Sequence, residues 1–277
     1  MPDGDLCHYD LSHYAGRMFK YPDGVIEVRG ALRPQCVRYG DIDRLIGYRE
    51  GYLSRGRRTD LSPEERARRD EANAKRSRAR AKAQVRRACM MLGVDRMVTL
   101  TTRANIQDLD AWRALTGKFF RAYAAKYPRF VYVAADETQK RGAWHTHFAT
   151  RGWLDLGFAR ALWQRLCGGP GMGSINIKYD PERYARSRGM PVSVSIATYI
   201  AKYFAKQEME AYRHRYRGTL VDLSGTAIRL NARSWVELRE ELESILRAHG
   251  VSPSIAYESR DWGALTLLGW RPILDDG

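Results

Sequence analysis

The chain of 277 residues carries 47 Lys and Arg against 32 Asp and Glu, a formal net charge of +15 with a pI near 9.8. This balance favours a polyanionic partner such as nucleic acid. No run of about eighteen apolar residues is present, and Met1-Pro2-Asp3-Gly4-Asp5 has neither the basic nor the apolar part of a secretory signal, so a cytoplasmic protein is expected. The four cysteines, at 7, 36, 89 and 167, show no CxxC spacing; reduced thiols are expected and a zinc knuckle is not.

The first clear element is basic. Between Arg55 and Arg87 there are 13 Lys or Arg against 5 Asp or Glu. Ser62-Pro63-Glu64-Glu65 reads as a helix start, with proline at the first position and acids in the first turn, and the Ala- and Arg-rich stretch that follows predicts one long helix over about 62–91. Either this is a solvated surface helix, or Arg76, Arg78, Arg80, Arg86 and Arg87 grip phosphates. Next come a Thr-rich apolar strand, Met97 to Thr102, and an amphipathic helix over 110–126 with Trp112, Leu115, Phe119 and Tyr123 on one side, ended near Pro128.

Phe130-Val131-Tyr132-Val133-Ala134-Ala135 is a β-branched and aromatic run, and Lys140-Arg141-Gly142 supplies a turn, so a hairpin with the strand 144–150 is expected. Because strand side chains alternate, His145 and His147 fall on one face and Trp144, Thr146 and Phe148 on the other. Glu137, near the end of the first strand, can come level with His145. Two imidazoles and one carboxylate make a small mixed N/O site suited to Mg²⁺ or Mn²⁺, with open positions for phosphate oxygens. Two histidines in a strand also occur as ordinary half-buried polar residues.

A helix over 156–166, stopped by Gly168-Gly169-Pro170, precedes an alternating strand over 174–178. An Arg-rich loop over 180–191, within reach of DNA, leads to a helix over 194–210 with Ser193 or Ser195 as N-cap. At about 100° per residue, Ile196, Ile200 and Phe204 form its core stripe, Tyr199 and Tyr203 lie on the border, and Lys202 and Lys206 lie beyond them. Tyrosine, with a reference pKa of about 10, needs a cation, metal or base to attack a phosphodiester, and Lys202 supplies a charge. Ring packing alone would also explain the two tyrosines. Ser234-Trp235-Val236-Glu237 is a capping box opening a helix over about 235–249. No GxxxxGK[ST] loop is present, so a fused helicase of that kind is not expected.

Taken together and in this order, Met97-Val98-Thr99-Leu100-Thr101-Thr102, Glu137 with Trp144-His145-Thr146-His147, and Tyr199-Ile200-Ala201-Lys202-Tyr203 resemble the three motifs of the HUH superfamily of rolling-circle replication initiators, relaxases and single-strand transposases. Thr146 stands where that family usually has a bulky hydrophobe. The resemblance covers about residues 95–210 and implies a ferredoxin-like antiparallel sheet covered by helices on one side, an α+β fold. It implies a divalent metal on Glu137, His145 and His147, and a 5′-phosphotyrosyl intermediate. The tyrosines match the two-tyrosine form of phage gene A type initiators, while Tyr199 followed by Lys202 fits the single-tyrosine form equally. Origin DNA, a host helicase and a host polymerase are the implied partners. A relaxase, a single-strand transposase, a metal hydrolase using water and a non-catalytic single-strand binding module are the alternatives. The expected division is a flank over 1–90, an endonuclease domain over 91–215 and a C-terminal helical extension over 216–277.

Overall fold

The structure is a computed structural model and describes residues 13–32, 62–203, 217–259 and 263–271. In chain order its elements are β1 (Tyr14–Lys20), β2 (Ile26–Leu32), α1 (Pro63–Leu92), β3 (Arg96–Thr102), α2 (Leu109–Lys126), β4 (Tyr132–Thr138), β5 (Trp144–Thr150), α3 (Leu156–Leu166), β6 (Gly173–Lys178), α4 (Asp180–Ser187) and α5 (Val192–Ala201). They continue with β7 (Arg217–Gly218), β8 (Thr226–Ile228), α6 (Trp235–Ala248), β9 (Ser252–Ser259) and β10 (Ala264–Trp270). The fold is α+β, with two five-stranded antiparallel sheets and six helices among the described residues. No helix there is long and apolar enough to cross a membrane.

The described residues divide into two compact units, one of which holds those from 71 to 203 and from 217 to 223. Its sheet has the order β6-β3-β5-β4-β7. The run β3-α2-β4-β5-α3-β6 is a βαββαβ unit whose strands lie side by side as fourth, first, third and second, the ferredoxin-like arrangement. Burial decides which face of the sheet the helices cover. Val98, Leu100, Ala134, Trp144, Phe148 and Ile175 point to one side and pack against Trp112, Phe119 and Phe120 of α2 and Leu162 and Trp163 of α3. The Trp112 and Trp163 rings meet edge to face at 5.7 Å. Buried indole N–H groups need acceptors, and these have them: Trp112 Nε1 donates to Thr146 Oγ1 at 2.9 Å and Trp163 Nε1 to the Thr101 carbonyl at 2.7 Å. Asp108 and Asp155 cap α2 and α3 by accepting from the Ala111 and Phe158 N–H groups, each cap contributing about 1 kcal/mol.

The opposite face of this sheet carries His145 and His147, and α5 lies against β5 there. Two local expectations are corrected. The segment read as an Arg-rich loop contains α4, because Pro181 sits in the first turn beside Asp180 and Glu182 while Pro181 and Ala185 turn inward; eight residues with only two inward positions leave almost no periodic signal. Helix α5 begins at Val192 after Pro191, with no side-chain cap. Ser193 and Ser195 are instead buried inside the helix, donating to Asp23 Oδ2 and to the Pro181 carbonyl. The expected continuation beyond Tyr203, including Phe204 and Lys206, lies outside the described residues.

In the other unit the sheet order is β8-β1-β2-β10-β9. The two terminal segments, read from sequence as separate flanks, supply strands of one sheet: β10 pairs antiparallel with β2, Leu267 opposite Val28. Helix α6 stands where the C-terminal helix is expected, with Ser234 Oγ accepting from the Glu237 N–H at 3.2 Å and Glu237 accepting from Arg233 N–H at 2.8 Å. Leu238, Leu242 and Leu246 pack with Val28, Leu265 and Leu267. Gly30 permits this approach, since a Cβ there would collide with the Leu238 side chain.

Candidate active site

The hairpin register creates the site. Gly142, at φ +81°, closes the turn that joins β4 to β5, with Gln139 N–H donating to the Ala143 carbonyl at 2.8 Å. Arg141 pins this turn by donating to the Thr102 and Arg103 carbonyls. Glu137 then stands directly across from His145 and Ala135 across from His147. Thr146 lies on the reverse face and its hydroxyl donates to Asp136 Oδ1 at 2.7 Å, tying the two strands in that register. A slip of one residue would turn every ligand away.

Three donor atoms converge. His145 Nε2 lies 3.0 Å from Glu137 Oε2, His147 Nε2 lies 3.2 Å from the same oxygen, and the two imidazole nitrogens are 3.0 Å apart. Ligands at right angles around an ion with bonds of about 2.1 Å stand about 3.0 Å from one another, so this triangle fits one face of an octahedral divalent ion. It is the arrangement of a two-His, one-carboxylate facial site with open positions opposite. Among the described residues this is the group of His, Cys, Asp and Glu side chains that could hold a metal.

The surroundings suit the neutral imidazoles that a metal requires. Burial first, and then the neighbouring His145, lower the His147 pKa to about 4 against the opposing pull of Glu137. Thr99 Oγ1, on β3 across from His147, lies 2.9 Å from His147 Nδ1. With Nδ1–H donating to that hydroxyl, the lone pair is on Nε2, facing the triangle. The first-motif strand therefore supplies a partner for a ligand, which sequence reading did not assign. The signal was present as a Thr at a position that pairs with the second histidine.

Helix α5 carries Tyr199 to this face and ends at Ala201, within the span expected for one longer helix, and Tyr203 follows two residues beyond that end. The Tyr203 ring stacks on His147 with centroids 4.0 Å apart, and Tyr199 meets Tyr203 edge to face at 5.5 Å. Tyr203 is 5% exposed, whereas Tyr199 is only half-buried. Burial, then its hydrogen bond with Tyr199 and the negative charge of Glu137, push the Tyr203 hydroxyl pKa well up. Lys202, exposed at the end of the helix, holds its Nζ 3.5 Å from the Tyr199 ring centroid and 5.8 Å from that of Tyr203. The six expected chemical residues Glu137, His145, His147, Tyr199, Lys202 and Tyr203 are thus brought together.

The expected phosphate-gripping arginines separate. On α1, Arg76 and Arg80 are exposed and Arg78 is half-buried, but Arg86 and Arg87 are 7% exposed and face inward with Val85, Cys89 and Met90. That placement removes them from a solvent-facing stripe. The reason is the helix's own C-terminal half, where Ala81, Val85 and Ala88 to Met90 create an apolar face that the charge count conceals. Lys206 lies outside the described residues.

A second cluster backs β4 and β5 and was not read from sequence. Asp136, 8% exposed, accepts from Arg113 Nε at 3.0 Å, from Arg217 Nη1 at 2.9 Å and from the Thr146 hydroxyl, and Arg217 Nη2 donates to Thr116 Oγ1 at 2.7 Å. Thr146, the departure from the expected hydrophobe, is fully engaged here. Its oxygen accepts from Trp112 while its proton goes to Asp136.

No curated protein and no solved structure matches this chain. Residues 95–208, which contain β3, the hairpin with Glu137, His145 and His147, and the tyrosine helix, match the family model described as replication-associated protein ORF2/G2P, and this supports a replication-initiator role for that part of the chain.

Proposed function

We propose that the protein initiates rolling-circle DNA replication by nicking one strand at an origin through tyrosine transesterification. The observation that carries this reading is the convergence of Glu137, His145 and His147 beside Tyr199 of α5 and Tyr203 just beyond its end, within the span matched by the replication-associated family. Glu137, His145 and His147 hold a divalent cation, Mn²⁺ or Mg²⁺, which when bound supplies Lewis-acid polarisation of a phosphate oxygen. Tyr199 is the nucleophile. It is the more accessible tyrosine, and its hydroxyl is linked to that of Tyr203.

The phenolic oxygen of Tyr199 attacks phosphorus, the bond from phosphorus to the 3′ oxygen breaks, and the phenolic proton is balanced by protonation of the departing 3′ oxygen. The products are a 5′-phosphotyrosyl strand and a free 3′-hydroxyl. Lys202, held over the Tyr199 ring, brings a cation beside the nucleophile's side chain. Because the phosphodiester is exchanged and not hydrolysed, the reverse attack by a 3′-hydroxyl closes the strand without a nucleoside triphosphate. A host helicase unwinds the duplex and a host polymerase extends the 3′ end.

Incubation with supercoiled DNA of the cognate replicon and Mn²⁺ tests this. The expected product is open-circular DNA whose 3′ end a polymerase extends directly. Linear or fragmented DNA, or nicks that a polymerase cannot extend, would count against initiation.

A further inference from the structure

The segment from β6 through α4 has a surface that the chemistry above does not use. Residues 178–188 hold four cations, Lys178, Arg183, Arg186 and Arg188, against Asp180 and Glu182, and Glu182 already pairs with Arg186. Aromatic rings of this size normally withdraw from water, yet Tyr179 is 57% and Tyr184 50% exposed. With Pro181 and Ala185 turned inward, spacing of four puts Tyr179 beside Arg183 and Tyr184 beside Arg188. The Arg188 guanidinium lies 5.2 Å from the Tyr184 ring centroid.

This surface continues into the candidate active site. Directly paired residues of antiparallel strands share a face. Asn176 pairs with Thr99 and Thr99 with His147, so Asn176 lies on the ligand face, two strand spacings or about 10 Å from His147. Asn176 and Ser174 are exposed at the sheet edge. The charge of Lys178 reaches His147, and that of Asp180 reaches Tyr203. A polar floor therefore leads from the ligands to the exposed tyrosines.

We propose that this surface, from Asn176 over Lys178 and Tyr179 to Tyr184 and Arg188, seats the unpaired strand on one side of the scissile phosphate, its bases stacking on the two tyrosines and its phosphates meeting the cations. Exposed ring faces select splayed bases over a duplex, whose bases are stacked inside. The inference rests on the nicking function above, since it assigns the path of that substrate.

The test uses the full chain carrying Tyr199→Phe, so that no cleavage occurs, and a 5′-fluorescein oligothymidylate read by anisotropy across a salt series. Relative to this parent, Tyr179→Ala with Tyr184→Ala weakens binding about tenfold or more, while Phe at both positions retains it. Arg183→Ala with Arg188→Ala lowers the salt slope by about 1.4, for two lost phosphate contacts. All four residues are exposed, and far-UV circular dichroism checks that each variant is folded. Parental affinity in the double alanine variant overturns the proposal while leaving the nicking function intact. A parent that binds no oligothymidylate overturns both.

Discussion

The ring of Tyr203 lies flat against the imidazole of His147, 4.0 Å between centroids and 12° between planes. Tyr199, four residues earlier near the end of α5, meets the Tyr203 ring edge to face at 5.5 Å, so ring contacts link the proposed nucleophile to the strand that carries His147. Neither residue could shift far without disturbing the other.

This contact separates two tyrosines that look alike in sequence. Tyr203→Phe keeps the stack and is expected to retain adduct formation, because Tyr199 remains. Tyr203→Ala removes a buried ring, costs about 3 kcal/mol of stability and weakens metal binding by loosening His147. Thermal denaturation and Mn²⁺ titration check both; an adduct lost in Tyr203→Phe but kept in Tyr199→Phe would reverse the roles.

The ligand set makes a prediction about the metal. Two imidazoles with one carboxylate favour Mn²⁺ over Mg²⁺, which prefers oxygen donors and its own waters. Calorimetric titration is expected to show tighter Mn²⁺ binding, lost in His145→Ala and in Glu137→Gln while both variants stay folded. Equal affinity in Glu137→Gln would remove the carboxylate from the site.

Acid should destabilise the metal-free protein through His147. Its folded pKa, about 4, lies below the ordinary value of 6.5, so the unfolded chain binds the extra proton between these limits. The stabilisation is complete above pH 6.5 and is lost as pH falls toward 4, by an amount on the order of 3 kcal/mol. Denaturant unfolding in EDTA at pH 7 and pH 4.5 measures this. The loss should shrink in His147→Gln, and an identical loss in that variant would assign it to other groups.

Behind the site, Thr146 joins Trp112 to Asp136, and Arg217 closes the cluster. Thr146→Val conserves shape but strands a buried indole N–H and takes one of its donors from Asp136 Oδ1, which keeps Arg217 Nη1, costing about 1–3 kcal/mol. Arg217→Ala leaves Asp136 short of one cation and costs about 3 kcal/mol. Thr146→Ser should behave as wild type. Urea denaturation decides it, and a neutral Thr146→Val would make the hydroxyl dispensable.

What sequence reveals here follows the range of the interactions. His145 and His147 announce their common face by alternation alone, and Glu137, eight residues upstream across a short turn, follows from hairpin register. Helices α2 and α3 show themselves by long stripes such as Trp112 and Phe119. By contrast, β2 and β10 pair although Val28 and Leu267 are far apart in the chain, and nothing local to either announces the partner. Asp136 reads as one more charge beside Glu137 until the fold brings Arg217 to it. The burial of Arg86 and Arg87 was hidden in a helix whose cation count suggested a uniformly wet surface.

The central claim is a covalent bond to Tyr199. Intact-protein and peptide mass spectrometry after incubation with Mn²⁺ and a 3′-labelled single-stranded oligonucleotide spanning the nick site measures it most directly. The account predicts a label-bearing 5′-phosphonucleotide adduct on the peptide containing Tyr199, absent in Tyr199→Phe. Cleaved DNA with no adduct on any tyrosine, or an adduct that persists unchanged in Tyr199→Phe, would contradict it.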